Sequence, residues 1–145
     1  MDALTLFFNG ASVVSILIAA FGALKMNRRN LLLGTFLYSL LPVIGESNQF
    51  HATGDYGNLI TAVAFLCAAI ITFPNRITYS SENQAAVKLA QKIGLSVIVL
   101  NVIQGYVIMK VRTDVPIQFA YAHLTLALIF VYVIIKSKSG DFKMN

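Results

Sequence analysis

Apolar residues run through this chain in long blocks separated by short polar gaps, and the blocks set its elements. Five stand out, at about 3–24, 31–50, 58–73, 85–110 and 116–135. Four of them reach the ~20 residues that a helix needs to cross a hydrocarbon core. The third is shorter and stops at Pro74, which cannot continue a helical hydrogen-bond ladder. Between the blocks, Gly54, Asp55, Tyr56 and Gly57 read as a turn, and Ser81 followed by Gln84 forms a capping-box pattern ahead of the fourth helix. A helix opened near Glu82 and closed at Lys110 is ~43 Å long at 1.5 Å per residue, so its first turns, with Lys88 and Lys92, project beyond a ~30 Å core. The expected fold is all-α: an integral membrane bundle of five transmembrane helices. Residues 1–135 form its single helical domain and 136–145 a polar tail.

Charge orients the bundle. With the N-terminus outside, the inner positions hold Lys25, Arg28, Arg29, Arg76, Lys88, Lys92, Lys136, Lys138 and Lys143, leaving only Lys110 and Arg112 of the 11 basic residues outside. The C-terminus is then cytoplasmic. The first block does not read as a signal peptide, because it opens with Met1 and Asp2 and its cations follow the apolar run. A small chain of this kind is expected in a bacterial inner (plasma) membrane.

Composition agrees: 57% hydrophobic, 12% charged and a mean hydropathy of +0.74 lie far from the soluble average of ~25% charged. The net charge of +5 does not imply nucleic acid, since the basic residues flank apolar runs with no interleaved aromatic patch. The lipid bilayer is the expected partner, together with other copies of the chain or the subunits of a membrane complex. Cys67 is the sole cysteine, so no disulfide or cysteine zinc site forms within one chain.

The second block carries the feature of most chemical interest. Thr35, Ser39, Pro42, Glu46 and Gln49 follow one another at steps of three or four and form one polar stripe on an apolar helix. Glu46 is an ionisable group inside a membrane segment, which costs at least ~2.5 kcal/mol if left unpaired and marks a functional site by default. At similar depth the first helix offers Asn9 beside Thr5 and Ser12, and the third offers Thr61. The fourth presents Asn101 and Gln104 between Gly94 and Gly105, and the fifth presents His123 between Ala120 and Ala127.

These residues predict a polar pocket in the outer half of the bilayer. Glu46 and His123, with Asn9 and Gln104, would bind a small molecule, lipid headgroup or ion or relay a proton, with Asn101 and Gln49 as further candidates. The blander reading is a structural or accessory subunit of a membrane complex, because amides and hydroxyls commonly bridge membrane helices. A proton-coupled transporter or channel subunit is a third reading, from the Glu46 carboxyl. No cofactor is predicted, haem between His51 and His123 being the weaker alternative. No metal site is expected, because the carboxylates and imidazoles match no helical ligand spacing, and no motif names a reaction.

Overall fold

The computed structural model describes residues 3–74, 84–112 and 115–138, and these form five α-helices with no strand among them. They are α1 (Ala3–Leu24), α2 (Arg28–Thr53), α3 (Tyr56–Thr72), α4 (Gln84–Lys110) and α5 (Ile117–Lys138). The all-helical expectation is met, with α2 and α5 longer than their apolar blocks. The capping pattern at Ser81 and the end of the tail lie outside the described residues.

Short connections make α1 and α2, α2 and α3, and α4 and α5 antiparallel neighbours. At the end of α1 the Asn27 N–H returns to the Gly22 carbonyl at 2.7 Å, with Met26 between them at φ 53°. This 6→1 bond satisfies a carbonyl that the helix end would orphan. The Asn27 side chain then accepts from the Asn30 N–H at 3.0 Å and caps α2. At the other end of α2, Gly54 adopts the left-handed conformation and donates its N–H to the Phe50 carbonyl, and Asp55 caps α3 through the Gly57 N–H. Two residues thus suffice to reverse the chain.

Around the bundle the helices stand in the order α3, α2, α1, α5, α4, and the ring nearly closes where α3 meets α4. The seams differ. Along α1/α2 the backbones touch: a Cβ on Gly22 would collide with the backbone of Leu31, and one on Gly34 with that of Ala19. Of the five seams around the ring, α3/α4 has the sparsest contact. Ala19, Ala23, Leu31, Tyr38, Val97, Leu126, Phe130 and Val133 make the main core, weighted towards the end of the bundle that carries the α1–α2 turn.

Apolar side chains cover the exterior. Leu4, Leu17, Leu24, Ile60, Ile70 and Leu128 are each more than 60% exposed, a surface that water would disfavour and hydrocarbon would accept. Three helices, α1, α4 and α5, are long and apolar enough to cross a membrane, which is compatible with a membrane protein. Polar residues dilute α2, and the 17 residues of apolar α3 reach only ~25 Å at 1.5 Å each.

Candidate functional site

The polar side chains sort into two clusters at different depths. The deeper one centres on His123 of α5, 3% exposed and surrounded by three other helices. Asn101 of α4 meets its Nδ1 through Oδ1 at 2.8 Å. The Tyr38 ring of α2 packs edge-on at a centroid distance of 5.1 Å, and Phe65 of α3 lies tilted at 5.3 Å. Asn101 spends its amide N–H on the Val97 carbonyl at 2.8 Å, which leaves Oδ1 as a pure acceptor. In a neutral ring, His123 therefore carries its proton on Nδ1, and Nε2 presents a lone pair. Tyr38 is 1% exposed, and its hydroxyl has no hydrogen-bond partner among the described residues.

The second cluster ties together the end of the bundle that holds the α2–α3 and α4–α5 connections. Val107 near the end of α4 accepts from the N–H groups of both Val111 and Arg112, at 2.8 and 2.9 Å, which wraps the chain off the helix. Arg112 then reaches across the bundle. Its Nη1 donates to Glu46 Oε2 of α2 at 3.2 Å and to Asn58 Oδ1 of α3 at 2.9 Å. Asn58 is buried and leans through Nδ2 on Thr53 Oγ1 at 3.4 Å, which also accepts from the Asp55 N–H. The Glu46 side chain is 12% exposed and that of Arg112 21%, so the pair is only partly screened by solvent.

The sequence raises Glu46 and His123 as one site, and the structure does not bring them together. Glu46 lies two turns beyond Tyr38 on α2, ~12 Å along the axis, and Tyr38 is the residue that touches His123. Its partner is the guanidinium, a full charge at matching depth. Of the other candidates, Asn101 joins His123, and Gln104 is buried on α4 one turn further along. Asn9 is half-buried on α1, beside a shallow groove that it shares with Ser12 and with Gln118 and Phe119 of α5. Gln49 is exposed. Thr35 and Ser39, the lower part of the polar stripe, bond back to the carbonyls of Leu31 and Thr35 at 2.8 Å and need no other helix.

His51 is exposed near the end of α2, ~20 Å along that helix from Tyr38, so the two imidazoles stand apart. Among the described residues no three His, Cys, Asp or Glu side chains converge. Arg112 and Asn58 are the functional candidates that sequence reasoning missed. The available signal was charge: Glu46 lies at the end of the bundle where Arg112 and Lys110 are the only Lys or Arg among the described residues. Comparison of the chain with protein families, curated proteins and solved structures gives no match.

Proposed function

We propose that the chain crosses a bacterial inner membrane five times, N-terminus outside and C-terminus cytoplasmic, and binds a small polar molecule at His123 in the outer half of the bilayer. The single observation that carries this reading is the buried hydroxyl of Tyr38, whose ring packs on the imidazole; the hydroxyl is unpartnered among the described residues. Such a group costs about 1–3 kcal/mol in an apolar interior, and a bound donor or acceptor would offset it. His123 Nε2 and the Tyr38 hydroxyl supply an acceptor and a donor, with Asn101 holding the ring from behind. The ligand is neutral, because among the described residues no carboxylate or cation is bonded to the imidazole, and Glu46, two turns beyond Tyr38 in the other cluster, is matched by Arg112. Access runs through the sparse α3/α4 seam.

Orientation is supported by the gathering of Lys25, Arg28, Arg29, Lys88, Lys92 and Lys136 at one end of the antiparallel helices, against Lys110 and Arg112 at the other. In a Cys67→Ala background, a membrane-impermeant thiol reagent applied outside should label Ala52→Cys and spare Ser137→Cys. The reverse pattern would invert the topology.

Native mass spectrometry of wild type and Tyr38→Phe, released gently from detergent, tests the site. A small retained mass in wild type, bound about tenfold more weakly by Tyr38→Phe, is the expected result. Bare protein in both, with Tyr38→Phe the more stable, would reduce the hydroxyl to an unsatisfied group and remove the ligand. The accessory-subunit reading then gains, favoured by the same α3/α4 seam, where a partner helix would find the least self-contact to displace.

A further inference from the structure

On the flank of the bundle away from α3 and α4, a surface groove of about 410 Å³ runs between α1 and α2. Val14, Leu17, Ile18 and Phe21 line it from α1, and Leu33 and Asn30 from α2. Both walls turn cationic at the same end. On α1 the lining residues advance by three or four, and the next step after Phe21 is Lys25, whose N–H still bonds to the Phe21 carbonyl at 2.9 Å. On α2 the residue four before Leu33 is Arg29, one turn away on the same face. Lys25 and Arg29 are exposed, and the described carboxylates, Glu46 and Asp55, stand at the opposite end of the bundle.

We infer that this groove is a binding site for an anionic phospholipid, with an acyl chain along the apolar walls and the phosphate between Lys25 and Arg29. The Asn30 amide sits at the boundary, where the glycerol esters would lie. Charge complementarity favours this occupant. A second copy of the chain would set like charges against each other at the groove's end, and a free anion would make no use of the apolar walls. The inference rests on the membrane-spanning reading but not on the His123 site or on the direction of insertion.

The test is a titration of delipidated protein in neutral detergent with phosphatidylglycerol and phosphatidylcholine of identical acyl chains, read by native mass spectrometry. At about fivefold in affinity per basic residue near an anionic headgroup, wild type should prefer phosphatidylglycerol about 30-fold. The double variant Lys25→Gln, Arg29→Gln should lose that preference, and Val14→Trp, which fills the groove, should weaken both lipids alike. Inorganic phosphate should not compete. Equal affinities in wild type, a preference that survives the double variant, or displacement by phosphate would each overturn the site. Protein that stays monodisperse without detergent would instead refute the membrane reading, so the two failures are distinct.

Discussion

The two seams of the ring solve the same packing problem in opposite ways. Where α1 meets α2, Gly22 and Gly34 remove side chains and let backbone approach backbone; where α3 meets α4, the helices barely touch, and polar side chains from elsewhere span the gap. His123 fills it at depth, against Phe65 on one side and Asn101 on the other, and Arg112 bridges its end. Close packing leaves no space between the α1 and α2 backbones and confines any ligand there to the outer groove, whereas the loose seam is filled by polar side chains. The bundle is therefore divided into a pair held by backbone contact and a pair joined through side chains.

The sharpest way to break this contrast is at Gly34. A Cβ there meets the Ala19 Cα at 2.8 Å and the Ser15 carbonyl oxygen at 2.5 Å, and both are backbone that cannot yield cheaply. Gly34→Val should destabilise the fold by about 3 kcal/mol or more, read as loss of folded protein in a denaturant titration in detergent. A stable variant would mean that α1 and α2 slide as freely as the other pair.

Arg112→Ala ranks second. It leaves Glu46 without its guanidinium and Asn58 without a donor, at about 1–3 kcal/mol. Amide hydrogen exchange should quicken at the start of α3 and the end of α4 while α1 and α2 stay protected. Uniform exchange throughout would deny the division. The smallest effect is expected from Asn101→Leu, which takes the partner from His123 Nδ1 and should cost about 0.6–2 kcal/mol, the range of interhelical hydrogen bonds in membranes. Unchanged melting would show that the imidazole is held by Tyr38 and Phe65 alone.

Much of this was legible in the sequence, and the exceptions have physical causes. The first apolar block coincides with α1, because its end is both an apolar and a backbone boundary. By contrast α2 runs three residues past its block at each end, since Asn27 and Gly54, not hydropathy, decide where its hydrogen bonds stop. Depth set Gln104 level with His123 and face put Asn101 beside Gln104, and the bond to the imidazole falls to Asn101. The Glu46 partner could not be reached by that route, because Arg112 lies beyond the end of α4. Its position depends on the turn at Val107, which no periodicity encodes.

That ion pair also sets an order of events in the making of the protein. Glu46 and Arg112 are 66 residues apart in the chain. At translation rates of ~5–20 residues per second, the carboxylate waits roughly 3–13 s for its counter-charge to be synthesised. Throughout that interval the nascent chain carries on α2 an acid that lacks this partner. A chain that ends before Arg112 would keep the Glu46 carboxylate without this guanidinium, so the pair can form only once four of the five helices have been made.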